Sequence, residues 1–205
     1  MPKAWIKAHK REYYYRKAKE EKYRSRASYK LLQVIERYQF IKSGDVVVDL
    51  GAAPGGWMQV AQKTIGNKGF VLGIDINPIQ PFETQNFQTV VADIMDPQII
   101  ERIKEYLPRQ ADVVLSDVSP NISGIWEVDN ARQIDLARRS LEVATSILKS
   151  NGNFFAKVFQ GEMTGFFAEE VKRRFAFVKL VKPKASRPKS AELYILAINL
   201  LKSKG

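Results

Sequence analysis

Apolar runs punctuate the chain at residues 45–50, 70–76, 87–92, 111–116 and 152–159, each rich in Val, Ile or Phe. Their length and their β-branched and aromatic content predict strands. Between them the apolar positions space out to a helical period near 57–65, 97–107 and 131–149. In the last of these, Ile134, Ala137, Leu141, Ala144 and Leu148 fall on one helix face. A further helix is predicted over 163–174, with strands over 176–182 and 191–200. Strands alternating with helices imply an α/β fold, a mostly parallel doubly wound sheet. Only Pro183 to Ser190 separate the last two strands, too few residues for a crossover helix, so the last strand is predicted to be antiparallel.

The first thirty residues stand apart. They hold eleven Lys or Arg against three Glu, together with Trp5, Tyr13, Tyr14, Tyr15, Tyr23 and Tyr29. The net charge of the whole chain is +11, so this segment carries most of the surplus. Cations neutralise phosphates and aromatic rings stack on bases, so the segment reads as an RNA-binding extension, 1–30, ahead of a domain at 31–205. The plainer alternative is a solvated basic helix or tail. The chain has no cysteine and a single histidine, His9. Disulfides, cysteine nucleophiles, cysteine-based metal sites and Ser-His-Asp chemistry are thereby excluded or disfavoured, and no metal is expected. No apolar run is long enough to span a bilayer and no signal peptide is visible, so a cytoplasmic protein, expected to be monomeric, is the working assumption.

The polar residues at the strand ends say more. Asp49, Asp75, Asp93, Asp117 and Lys157 close five successive apolar runs. In an open α/β sheet those ends share one rim, where ligands bind. After the first strand comes Asp49-Leu-Gly-Ala-Ala-Pro-Gly-Gly-Trp57, a loop with Gly51, Gly55 and Gly56 that permits close approach of a backbone. The order is not the G-x-G-x-x-G of dinucleotide enzymes, which argues against NAD. Asp49 would also repel a pyrophosphate at that spot. A cationic ligand suits it better, and S-adenosylmethionine (SAM) carries both an ammonium and a sulfonium. Asp75 would then serve the ribose hydroxyls and Asp93 the adenine amino group. A tight turn with no ligand remains the alternative for the glycines.

The acceptor is narrowed by what is missing. Ser116-Asp117-Val118-Ser119-Pro120-Asn121 is not the Asn/Asp-Pro-Pro-aromatic motif of exocyclic-amine methyltransferases, and pyrimidine carbon-5 methylation needs a cysteine. An oxygen acceptor remains. Together with the glycine loop, Ser25-Arg26-Ala27-Ser28-Tyr29-Lys30-Leu31, Asp117, Phe155-Ala156-Lys157 and Ser190-Ala191-Glu192 resemble, in order, the FtsJ/RrmJ family. That resemblance implies a Rossmann-like SAM-dependent methyltransferase fold with a seven-stranded sheet. It implies ribose 2′-O-methylation of RNA, most closely of a uridine in large-subunit ribosomal RNA, free or in the assembled subunit. It also implies a catalytic tetrad of Lys30, Asp117, Lys157 and Glu192, and cofactor contacts at Gly55, Trp57, Asp75, Asp93 and Asp117. Lys157 would be the general base, Lys30 a second ammonium beside it, and the two acids would hold both lysines in line. The alternatives are the same chemistry on the anticodon loop of transfer RNA, a catalytically silent RNA-binding protein, and an NAD-dependent oxidoreductase. The irregular stretch from Val118 to about Gln133 is expected to position the target nucleotide, and the basic connection Pro183–Ser190 to touch phosphate.

Overall fold

A computed structural model describes residues 13–187 and 190–202 of the chain. Trp5, His9 and the first basic residues therefore lie outside the described residues. Helix α1 covers 13–20 among them. The order then runs α2 (Ser28–Tyr38), β1 (Val46–Leu50), α3 (Gly56–Ile65), β2 (Phe70–Asp75), β3 (Phe87–Val91), α4 (Ile99–Tyr106) and β4 (Ala111–Ser116). It continues with α5 (Trp126–Ile147), β5 (Leu148–Phe159), α6 (Glu162–Lys172), β6 (Phe175–Val181) and β7 (Glu192–Leu200).

The strands form one seven-stranded sheet in the order β3-β2-β1-β4-β5-β7-β6. The pairs from β3 to β5 are parallel. Strand β7 runs antiparallel to both β5 and β6. The predicted α/β architecture, including the antiparallel last strand, is the observed one.

Both faces of the sheet are covered, and strand alternation assigns each residue to a face. Val46, Val48 and Leu50 pack with Phe154, Ala156 and Val158 under Ile103 of α4, Ile134, Leu141 and Ala144 of α5 and Phe167 of α6. Val47, Val113, Leu115 and Phe155 face the other way, under Leu31 and Val34 of α2 and Met58, Val60 and Ala61 of α3. Gly73 lies on that second face, where an added Cβ would collide with Met58 Sδ and approach Ala52 Cβ to 3.2 Å. Its missing side chain lets α3 press onto the sheet.

Two boundaries differ from the sequence reading. Helix α5 begins at Trp126 instead of near 131. The first turn turns Trp126, Glu127 and Val128 outward, so it adds no apolar period to read, while Glu127 and Asp129 favour the positive helix end. Leu148, counted with that helix, instead opens β5 by pairing with Ala111. The register then shifts before Val113 pairs with Asn153, with Asn151 in the left-handed region between them. The irregular segment after β4 is thus shortened to 117–125.

Candidate active site

Strand periodicity assembles the site. Asp49, Asp117 and Lys157 follow Val47, Leu115 and Phe155 at two-residue spacing, so all three point to the face covered by α2 and α3. In the β5–β7 pair, Lys157 lies opposite Tyr194 and Phe159 opposite Glu192, which puts Glu192 and Tyr194 on that same face. Lys30 comes down from the first turn of α2.

The groups link end to end into one circuit of contacts that runs from Lys157 to Glu192. Lys157 Nζ lies 3.2 Å from Asp117 Oδ1 and donates to the Asp117 carbonyl at 2.7 Å. Asp117 Oδ1 accepts from the Tyr194 hydroxyl at 3.2 Å. That hydroxyl accepts from Lys30 Nζ at 3.1 Å, and Lys30 pairs with Glu192 Oε1 at 2.6 Å. Ser186 Oγ donates to the same Glu192 oxygen at 3.2 Å. All four residues of the expected tetrad are brought together. Tyr194, which the sequence reading passed over, stands between its two halves. Its only signal was its place two residues after Glu192, the same-face spacing of a strand.

Burial shapes the electrostatics. Lys30 and Lys157 are only 8% and 6% exposed, and each has one carboxylate beside it. Burial alone would raise the Glu192 carboxyl, but Lys30, then Lys157 and Tyr194, hold it below its ordinary value. Burial, then the Asp117 and Glu192 charges, push the Tyr194 phenol well above its ordinary value, so it remains a hydrogen-bond donor. Beneath the polar groups lies an aromatic floor. Phe155 stacks on Tyr194 at 4.9 Å and on Trp57 at 5.5 Å, with Phe40 5.5 Å from Phe155. From the α5 side, Gln133 Nε2 donates to the carbonyls of Lys157 at 3.1 Å and Val118 at 3.3 Å, fixing β5 to the loop after β4.

The remaining expected residues line the rim next to this circuit. Asp75 Oδ2 accepts from the Ala53 N–H at 2.9 Å, and its Oδ1 from the Asn77 N–H at 2.8 Å. Asp93 is exposed and accepts from the Met95 N–H at 2.9 Å. Trp57 is buried, and its indole N–H donates to the Ala27 carbonyl at 2.9 Å, so only its backbone is left for a ligand.

The glycines of the loop are each approached by the chain itself. A Cβ on Gly51 would lie 2.9 Å from the Val118 nitrogen, and one on Gly55 would lie 2.8 Å from the Phe82 ring. Gly56 abuts the Ser25 and Ser28 hydroxyls. Arg24 binds the loop from outside, donating to the carbonyls of Pro54 at 3.3 Å, Gln80 at 2.6 Å and Pro81 at 2.7 Å. Its guanidinium lies 3.7 Å from the centre of the Phe82 ring.

Two buried aspartates show what distinguishes a site from a scaffold. Asp112, 4% exposed, accepts from the Val46 N–H at 2.7 Å and pairs with Lys149 and Arg109. Burial would raise it, and these three donors hold it below its ordinary value. Asp49 is fully buried, and neither oxygen has a partner. Burial, reinforced by Asp117 and Asp75, pushes its carboxyl well above the ordinary range. A buried carboxylate without donors is costly, and an ammonium-bearing ligand is the kind of group that suits it. Among the described residues no group of three or more His, Cys, Asp or Glu is placed to hold a metal ion, and no helix is long and apolar enough to cross a membrane.

Known proteins resemble the chain along most of its length. The family model for FtsJ-like methyltransferases matches residues 23–200. Ribosomal RNA large subunit methyltransferase E of Methanocaldococcus jannaschii is 50% identical over 95% of this chain and 81% of its own length. Its counterpart in Methanothermobacter thermautotrophicus is 45% identical over 96% of this chain and 93% of its own. Among solved structures, a ribosomal RNA methyltransferase of Plasmodium falciparum superposes with a TM-score of 0.79 at 27% identity, covering 87% of this chain and 99% of that one.

The contrast with Asp112 makes Asp49 testable by stability alone. The folded state raises the Asp49 pKa, so it holds the proton that the unfolded chain releases, and stability is lost as pH rises above the unfolded value. Asp49→Asn removes that penalty. In thermal unfolding of the ligand-free protein from roughly pH 4 to 8, the variant should match the wild type at the acid end. It should gain on the order of 1–3 kcal/mol toward neutrality. Parallel curves for the two proteins would mean that Asp49 is satisfied in the fold.

Proposed function

The chain belongs to the FtsJ-like methyltransferase family, and we propose that it methylates the ribose 2′-hydroxyl of RNA with SAM as donor. The RNA is large-subunit ribosomal RNA, and the nucleotide a uridine. The observation that carries this reading is the continuous line of contacts Glu192–Lys30–Tyr194–Asp117–Lys157. It offers two buried lysine side chains, each beside one carboxylate, on the face that also holds the unpartnered Asp49. Relatives named for large-subunit ribosomal RNA favour that substrate over transfer RNA.

Asp49, Asp75, Asp93 and Asp117, with the backbone of Gly51, Gly55, Gly56 and Trp57, would hold the donor. When bound, SAM supplies a methyl group on a positively charged sulfur. The task of the chain's own residues is to make a ribose hydroxyl nucleophilic. That hydroxyl is a very weak acid, so its proton must be taken as the oxygen becomes a nucleophile. Lys157 Nζ is the acceptor for that proton. Its nitrogen is aimed by the Asp117 carbonyl and carboxylate. Lys30, pinned by Glu192 and Tyr194, keeps its ammonium for the charge that grows on the oxygen. The aromatic floor keeps water from beneath both lysines, which strengthens each of these interactions. Basic residues of the first thirty positions and of the loops at the rim supply the affinity for RNA phosphates.

The test of the chemistry is transfer of labelled methyl from SAM to large-subunit ribosomal RNA and to transfer RNA, followed by alkaline hydrolysis. A 2′-O-methyl group blocks cleavage of the adjacent phosphodiester, so label in alkali-resistant dinucleotides from ribosomal RNA is expected. Label in mononucleotides would mean base methylation and would remove the tetrad assignment. In the same assay Lys157→Ala should lose about 10²–10⁴ in turnover with SAM affinity unchanged. Near-normal turnover would take Lys157 out of the base role. Replacing the lysines and arginines between residues 3 and 26, Arg24 excepted, by glutamine should weaken RNA binding. It should also flatten the dependence of log K on log salt by roughly 0.7–0.9 for each phosphate no longer neutralised. An unchanged slope would place RNA binding elsewhere.

A further inference from the structure

We propose that the cavity beside Glu192 receives the base of the nucleotide whose ribose is methylated, with the Trp126 indole as its stacking platform. This rests on the ribose-methylation reading and adds to it a site for the base. The cavity, about 310 Å³, is lined by Ile122, Gly124, Trp126, Asp129, Phe159 and Glu192, among others. It therefore shares Glu192 with the tetrad.

Register sets the distance from the chemistry. Phe159 follows Lys157 by two residues on β5 and lies opposite Glu192 on β7. Its ring thus stands on the tetrad's face one pleat further out, roughly 6–7 Å along the strand. A nucleobase hangs from C1′, the carbon next to the one that bears the 2′-hydroxyl. A ribose held at Lys157 and Lys30 therefore carries its base about one pleat away, where the cavity is.

The cavity is apolar where a base needs a surface and built where it needs rigidity. Trp126 stacks on Phe159 with ring centroids 6.0 Å apart and planes 21° from parallel, yet the indole is 45% exposed. Ile122 and Ile125 beside it are exposed as well. Asp129, one turn after Trp126 on α5, ties down the Ser123–Gly124 wall, accepting from the Ser123 N–H and hydroxyl at 2.8 Å and from the Gly124 N–H at 3.2 Å. The charged side chains of the lining itself are the acids Asp129 and Glu192, and a cation holds the segment on either side of it. Lys182 donates to the Ser190 carbonyl at 2.8 Å, and Arg132 to the Asn121 carbonyl at 3.5 Å. An exposed aromatic slot beside the residues that would hold the ribose matches an unstacked base better than it matches a protein side chain.

Kinetics and fluorescence test this with unmethylated large-subunit ribosomal RNA as the probe. Trp126→Ala should raise KM for the RNA roughly 5- to 150-fold, with the SAM dissociation constant and thermal unfolding as in the wild type. Trp126→Phe, which keeps a stacking face, should recover most of that loss. In a Trp5→Phe background the RNA should quench emission from the exposed Trp126, while Trp57 is buried and insulated. An unchanged KM for Trp126→Ala, with wild-type label on ribose, overturns the base cavity and leaves the reaction standing. Wild-type label on bases overturns the reading beneath it. A Trp126→Ala defect confined to assembled ribosomal particles and absent on naked RNA assigns the face to a protein partner and overturns the proposal.

Discussion

Strand β7 lies between β5 and β6 and runs against both, so its first residues, not its last, arrive at the rim where the parallel strands end. Its pairing with β5 then sets Tyr194 opposite Lys157 and Glu192 opposite Phe159. A parallel strand in that place would deliver Leu200 to the rim. A slip of one residue would turn Glu192 and Tyr194 to the α5 face and leave Lys30 without its carboxylate. Two pairs of residues far apart in sequence, 30 with 192 and 117 with 157, become one circuit only in this register.

The circuit does not hold the fold together. Two buried ion pairs return in attraction about what they lose in desolvation, so their net stabilisation is small. Removing one member is another matter, since the charge left behind is uncompensated at a cost of about 3–5 kcal/mol. What holds the site in place is apolar. Trp57, Phe155, Leu196 and the α2 residues Leu31 and Val34 form a continuous core directly under the lysines. The polar groups ride on that core in fixed directions. Asp49 is the exception that even pairing does not cover. It is a carboxylate the fold buries without a donor, as expected where a structure gives up stability for a ligand.

Much of this was legible in the chain before any coordinates. Strand runs ending in Asp49, Asp75, Asp93, Asp117 and Lys157 mapped onto the rim, because burial on both faces leaves a continuous apolar run in the central strands, while edge strand β3, largely exposed, was marked by its β-branched and aromatic residues. Lys30 and Glu192 were reachable only through the resemblance to a family, since neither sits in a local pattern that singles it out. Tyr194 was not found. A tyrosine in a strand reads as packing, and its hydroxyl gains a role only when Lys30 and Asp117 arrive from 164 and 77 residues away. The start of α5 was missed for the opposite reason. Its first turn faces water and carries no period, so Trp126 passed for loop. Asp112 was overlooked because its three donors, Val46, Arg109 and Lys149, are brought together only by the sheet.

Arg24 shows how closely the basic segment and the glycine loop are joined. Its guanidinium reaches carbonyls in two loops, Pro54 after β1 and Gln80 and Pro81 after β2, while its flat face covers Phe82. A planar fork with several fixed donors can satisfy divergent carbonyls and stack at once, which a lysine ammonium cannot. The Arg24 backbone N–H is itself tied to Gln59 Oε1 of α3 at 2.7 Å, and Gln59 Nε2 returns to the Lys22 carbonyl at 3.1 Å. The chain on the N-terminal side of α2 is thereby anchored to the helix that opens from the loop. A displacement of residues 22–24 has to strain the loop carbonyls, the Phe82 contact or α3. Residues 22–25 and the loop beside Asp49 are thus mechanically one body, and the absence of a Cβ at Gly55 and Gly56 is what lets them meet.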